Sequence, residues 1–231
     1  MKIYGGVYYN EDGLSTSIRG MNAQTKLFGI INDNVLGYNK VGYQGKEAVL
    51  PSFAEIIGAN AISEVRNNES GRMAKTDKGL DFAILEQGYF QYLTPQGIKV
   101  TRDGRFQMDK DGFLTTLEGN KVLSNAGEAV KFKKIPEGVE DIKLMTNGDL
   151  MVLNHQTKEL ELASTLGIVS DKGAAVKHPN IKQGYVEASN VSLQAEFLKI
   201  IPIRRSFAAN KQMFMIQNSM LSQTIQQLSK G

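Results

Sequence analysis

Residues 191–228 read VSLQAEFLKIIPIRRSFAANKQMFMIQNSMLSQTIQQL. Within them Ile200, Phe207, Phe214, Leu221 and Leu228 stand seven apart without a miss, the spacing of one row on a helical face. The alternate stripe positions are Leu193 and Phe197, then Arg204, Lys211, Asn218 and Ile225, so the stripe is half apolar and half polar. A helix packed inside its own domain carries a fuller apolar face. A narrow heptad stripe instead suits a helix paired lengthwise with other helices. Ser189 or Asn190 is the expected N-cap, because a short polar side chain there accepts from an otherwise unpaired helical N–H. Pro202 lies inside the pattern, lacks an N–H and crowds the carbonyl four residues back. It predicts either a kink or a short first helix handing over to a longer second one.

The opposite end of the chain has the same character. From about Glu11 to Leu36 the apolar positions Leu14, Ile18, Met21, Phe28 and Val35 follow heptad steps, with Thr25 and Asn32 filling the missing places. Asn39 and Gly42 suggest a stop. The stretch 45–68 shows no clear period, and Ser52 to Ile57 fits a short helix or a strand equally well.

Between Gly71 and Gly184 the period changes to two, as in Leu80, Phe82 and Ile84. Turn signals recur at Gln87-Gly88, Pro95-Gln96-Gly97, Asp103-Gly104, Asp111-Gly112, Glu118-Gly119, Asn125-Ala126-Gly127 and Asn147-Gly148. Short strands joined by tight turns imply antiparallel hairpins, hence a β-sandwich or partly open barrel. The expected fold class is α+β. Long N- and C-terminal helices, discontinuous in sequence, pair as a coiled-coil-like domain, and a central antiparallel β-rich domain lies between them in the chain. The expected segments are 1–44 and 185–231 (helical, assembly), 45–70 (linker or extension) and 71–184 (β-rich).

Composition excludes several function classes. The 231 residues are 41% hydrophobic with a formal net charge of +3, and Lys and Arg are scattered, which disfavours a nucleic-acid partner. There is no cysteine, so disulfides, thiolate nucleophiles and Cys-ligated metals are out. The start, Met1-Lys2-Ile3-Tyr4-Gly5-Gly6-Val7, lacks the apolar core of a cleaved secretory signal, and no run is long enough to span a bilayer. Taken alone, these facts predict a cytoplasmic protein. His155 and His178 sit in polar contexts without a metal-ligand partner at helical or hairpin spacing. No nucleophile elbow, phosphate loop or dinucleotide glycine pattern is present. Residues 107–118 place acids at positions 3, 5 and 12 and glycine at 6 of a calcium loop. The first position is Gln107 and the flanks read as strands, so Asp109-Lys110-Asp111-Gly112 is better taken as a hairpin turn. No catalytic residue, cofactor or metal site is expected.

Three local patterns together resemble the flagellar hook–basal-body rod family. Residues Ile31 to Tyr43 align without a gap with its signature Ile-Ala-Asn-Asn-Leu-Ala-Asn-Val-Asn-Thr-Thr-Gly-Phe, with Asn34, Asn39 and Gly42 coinciding. Leu80 to Ile84, Gln87 to Phe90, Thr101 to Phe106, Asp109 to Leu114 and Gly119 to Leu123 follow the family's central pattern. Gln183 to Val191 resembles its Gly-x-Leu-Glu-x-Ser-Asn-Val, carrying Ser189 and Asn190, and Arg205 to Asn210 resembles its Arg-Ala-Tyr-Glu-Ala-Asn. Asp33 replaces the first Asn of the Asn-Asn pair, and Leu36-Gly37 replaces the Ala-Asn before valine.

The resemblance implies a structural subunit of the basal-body rod that polymerises through its terminal helices into a hollow axial tube transmitting torque. Its implied partners are copies of itself, other rod and hook subunits and the flagellar export apparatus. The implied location is extracytoplasmic, in the periplasmic rod, reached without a cleaved signal peptide. This displaces the cytoplasmic expectation. The chain is short for the extra outer domain of hook subunits, which favours rod over hook. The expected assembly residues are Leu14, Ile18, Met21, Phe28 and Val35 with Ile200, Phe207, Phe214, Leu221 and Leu228. The alternative is an extracytoplasmic β-domain that binds cell-wall glycan and is dimerised by its helices.

Overall fold

A computed structural model describes residues 6–49, 62–132, 136 and 138–229, with side chains from residue 13 onward. The ambiguous stretch Ser52–Ile57 lies outside the described residues. The chain divides into two compact units: residues 1–36, 45–67 and 191–231 form one, and residues 37–44 and 68–190 the other.

The first unit holds the helices α1 (Gly6–Gly37) and α2 (Leu193–Leu228) and an antiparallel pair, β1 (Lys46–Val49) with β2 (Ser63–Arg66). The helix α1 starts before the expected Glu11 and closes at Gly37, whose carbonyl accepts from Lys40 N–H at 3.0 Å. The N-cap of α2 is Ser192, whose Oγ accepts from Ala195 N–H at 3.4 Å. It is neither Ser189 nor Asn190; the Asn190 amide is instead spent on the Glu69 carbonyl at 2.8 Å. The helix α2 runs unbroken through Pro202. Leu198, whose carbonyl loses its N–H donor to the proline, is exposed, so solvent can satisfy it.

The two helices are antiparallel neighbours. A Cβ placed on Gly13 would strike the Gln217 amide, and one on Gly20 would strike that of Asn210. Asn210 Nδ2 also donates to Gln24 Oε1 at 3.1 Å. The inward row of α1 is therefore Gly13, Ser17, Gly20, Gln24, Leu27, Ile31 and Asn34, all buried or half-buried at alternating steps of four and three. On α2 it is Glu196, Ile200, Ile203, Phe207, Asn210, Phe214 and Gln217. Small residues line α1 where the helices come closest.

The second unit contains thirteen strands among its described residues: β3 (Met73–Lys75), β4 (Phe82–Ile84), β5 (Tyr89–Thr94), β6 (Gly97–Thr101), β7 (Phe106–Met108), β8 (Leu114–Thr116), β9 (Lys121–Val122), β10 (Ile142–Leu144), β11 (Asp149–Asn154), β12 (Glu159–Thr165), β13 (Ile168–Val169), β14 (Ile181–Gln183) and β15 (Tyr185–Glu187). Every pairing is antiparallel. The largest sheet orders β13-β5-β9-β8-β7, with β6 on the free side of β5; β10-β11-β12, β14-β4 and β15-β3 form separate ladders. These ladders wrap one apolar core instead of building two facing sheets. Phe82, Phe90, Phe106, Leu114, Phe132 and Leu150 are buried at its centre, with Phe90 edge-on to Phe106 at 5.1 Å.

Most expected turns are turns. Gly97, Gly112, Gly119, Gly127 and Gly148 all have positive φ, which glycine adopts without steric cost. Gly104 is different. Its carbonyl accepts from Phe82 N–H at 2.9 Å, and a Cβ there would run into the Phe82 carbonyl. Gly104→Ala is expected to cost about 1–3 kcal/mol, the usual range for overpacking. Gly29→Ala, on an open face of α1, should raise helix stability by up to about 1 kcal/mol. Thermal unfolding of the two variants should move in opposite directions.

Candidate functional site

Chemistry-bearing residues do not converge. Among the described residues no group of three or more His, Cys, Asp or Glu side chains could hold a metal ion. His155 Nε2 lies 3.0 Å from Asp141 Oδ2 and is half exposed. Asp109, in the calcium-loop-like stretch, spends Oδ1 on the backbone N–H groups of Asp111 and Phe113 at 2.9 and 2.8 Å, which makes it a turn residue. No helix among the described residues is long and apolar enough to cross a membrane.

What the helical unit offers instead is surface. Along α2 the residues Phe197, Leu198, Ile201, Phe207, Met213, Met215, Ile216, Met220, Leu221, Ile225 and Leu228 are exposed, as are Ile18, Phe28 and Leu36 on α1. Of the residues expected from the heptad rows, Ile200, Phe207 and Phe214 lie on the inward row of α2. Leu14, Met21 and Val35 are half-buried, whereas Ile18 and Phe28 are 39% and 48% exposed. Phe28 nevertheless meets Ile200 and Phe207 across an open groove of about 490 Å³, lined also by Gln24, Thr25, Ile203 and Arg204.

Two polar constructions fix the local chain path. In the helical unit, buried Asn34 reads both backbone groups of Lys46: Nδ2 donates to its carbonyl at 2.9 Å and Oδ1 accepts from its N–H at 2.7 Å. Lys46 Nζ then donates to Asp33 at 2.7 Å and Glu64 at 3.0 Å, which holds the ammonium well above the ordinary lysine range. A raised folded pKa keeps this contribution complete below the unfolded value of about 10.4 and removes it only as pH rises through the higher folded value. It is thus constant near neutrality.

In the β-rich unit Arg102 and Glu187 form an ion pair at 2.6 Å, with both side chains 3% exposed. The guanidinium is fully used, donating also to the carbonyls of Ile84, Glu86 and Gly88 and to Ser70 Oγ. Glu187 Oε1 accepts from Gly71 N–H at 2.7 Å, and its backbone carbonyl accepts from Gly42 N–H at 2.7 Å.

Comparison with known proteins matches this layout. The family model described as the flagellar hook protein FlgE/F/G D1 domain matches residues 83–152. The one described as the flagellar basal body rod FlgEFG protein C-terminal matches residues 182–227. The flagellar basal-body rod protein FlgF of Mesorhizobium japonicum is 26% identical over 219 residues, covering 85% of this chain and 89% of that protein. The flagellar basal-body rod protein FlgG of Bacillus subtilis is 26% identical over 261 residues, covering 92% of this chain and 97% of its own length. The chain belongs to the flagellar hook–basal-body rod family. It is a structural protein and not an enzyme.

The rod-family motif residues occupy separate places in the structure. Asn34 anchors β1, and Asn210 lies on the helix seam beside Gly20. Gly42 has a φ of +66° and a backbone pressed against Arg102 and Asp103, so no side chain fits there. Asn190 N–H donates to the Tyr43 carbonyl at 3.3 Å, and Ser189 precedes it half-buried. Asn39 and Arg205 are exposed. Arg102 and Glu187 were absent from the expected site residues. The available signal was a charged residue of each sign inside family-like motifs flanked by strand-forming residues.

Removing one member of a buried pair strands the other charge, at about 3–5 kcal/mol. Glu187→Gln or Arg102→Met should therefore lower the urea midpoint of the β-rich unit sharply, whereas Lys46→Met, at an exposed ion pair, should move unfolding by about 1 kcal/mol or less.

Proposed function

We propose that this chain is a subunit of the basal-body rod that polymerises through α1 and α2 with copies of itself and with other axial proteins, forming a hollow tube that transmits torque. On this reading it reaches the periplasmic rod through the flagellar export apparatus, without a cleaved signal. The residues 1–44 and 185–231 are the assembly segments. Leu14, Ile18, Met21, Phe28, Val35, Ile200, Phe207, Phe214, Leu221 and Leu228 contribute to the helix packing within and between subunits.

One observation carries the reading. The inward row of the helix pair is filled in large part by glycine, serine, asparagine and glutamine, while ten large apolar residues of α2 outside that row are exposed. Large apolar side chains stabilise by about 1.5–3 kcal/mol each when fully buried. A long helix that leaves them outside has most of its available burial still to gain from neighbouring chains.

Ile216→Glu combined with Met220→Glu places two charges on that outward face. Both positions are exposed, so folding should change by no more than about 0.5 kcal/mol per site. Rod assembly, followed by electron microscopy of basal bodies, should be lost. Deleting residues 214–231 should likewise leave the β-rich unit folded and abolish assembly. Normal rods from either variant would sink the reading.

A further inference from the structure

Among the described residues, several strands of the β-rich unit pair on one side only, and two of them carry an apolar–charged alternation: β6, which bonds only to β5, and β12, which bonds only to β11. On β6, Ile98 and Val100 are exposed on the face away from the core, while Lys99 shares the opposite face with Tyr92 and buried Val122. On β12, Leu160 and Leu162 are exposed beside Leu153 and Met151, while Glu161 stands opposite Val152 on the core-side face. Lys99, Glu159 and Glu161 take part in none of the ion pairs among the described residues.

An exposed edge carrying apolar residues is a template for strand addition, and charges on it are the usual protection. Here the charges on the two edges have opposite sign. A β6 edge meeting another β6 places lysine against lysine, and β12 meeting β12 places glutamate against glutamate. Like charges directly opposite are destabilising, whereas opposite charges are favourable. Each edge thus rejects its own kind and fits the other.

We propose that β6 of one copy pairs antiparallel with β12 of the next, setting Ile98 opposite Leu162, Lys99 opposite Glu161 and Val100 opposite Leu160. The register puts all four apolar side chains on one face of a continuous sheet. The contact joins two different surfaces, so it propagates from copy to copy instead of closing on itself as a two-fold dimer. It rests on the proposed assembly only in that assembly brings copies side by side.

The native chain has no cysteine, so introduced thiols report without background. Full-length chains carrying Val100→Cys and Leu160→Cys, one of them with a size tag, are mixed in equal amounts and mildly oxidised. Random collision yields mixed and like dimers in statistical proportion. Edge pairing should raise the ratio of mixed to like dimers about fivefold above the statistical ratio, the scale of one favourable cross-strand charge pair. Adding Lys99→Glu to the first chain should remove the excess, and Glu161→Lys in the second should restore it. A statistical ratio, an excess of like dimers, or indifference to charge reversal overturns the pairing. Statistical dimers from chains that still build rods would overturn it while leaving helix-driven assembly intact. A mixed-dimer excess in chains also carrying Ile216→Glu and Met220→Glu would support it independently of the helices.

Discussion

Glu187 is the residue through which the chain path is organised. The polypeptide changes unit at residues 36–37, 44–45, 67–68 and 190–191. Segments next to three of those changes meet at this residue: Gly42 N–H donates to its backbone carbonyl and Gly71 N–H to its Oε1, while Arg102 from within the β-rich unit donates to Oε2. A buried carboxylate is tolerated only when its charge is paired and its lone pairs are filled, and both conditions are met. Arg102 passes the constraint on by donating to the carbonyls of Ile84, Glu86 and Gly88, so β4, β5 and the loop between them take their positions from the same pair. The glycines at 42 and 71 are required by the same crowding, since a Cβ at either would collide with backbone.

In the helical unit the corresponding constraint is closeness. Gly13, Ser17 and Gly20 let α2 approach, and its own amides at Asn210 and Gln217 fill the space a larger side chain would take. Small and polar residues inside leave the large apolar ones outside. A pair built this way is specific in register but modest in burial, which is the balance expected of a helix pair whose remaining stability comes from neighbours.

Much of this was legible in the chain itself. The heptad row Ile200, Phe207, Phe214 announced α2 and lies on its inward side, and the alternation around Leu80, Phe82 and Ile84 announced the β-rich unit. The closest approach of the helices lies beside the apolar row, for a physical reason. Apolarity pointed to Leu14, Ile18 and Met21 on α1 and to Arg204 and Lys211 as the polar partners on α2, whereas the helices meet one residue round, at Gly13, Ser17, Gly20 and at Ile203, Asn210. Close packing selects for size, and hydrophobicity does not report size. The role of Asn34 was hidden because its partner Lys46 begins a stretch without period. Arg102 and Glu187 are 85 residues apart, a separation that no local pattern spans. Pro202 forecast a kink or a handover between two helices, and α2 runs on through it as one helix, with Pro202 at a solvent-facing position.

The central claim is that the outward face of α2 is an unfinished interface. Met213, Met215 and Met220 lie on it and are each more than half exposed, which makes them built-in reporters. Peroxide oxidation of these methionines, read by mass spectrometry in the free chain and in assembled rods, tests the claim directly. The account predicts fast oxidation in the free chain and strong protection in the rod, with exposed Met145 of the β-rich unit as the comparison. Equal oxidation of all three in both states would contradict it.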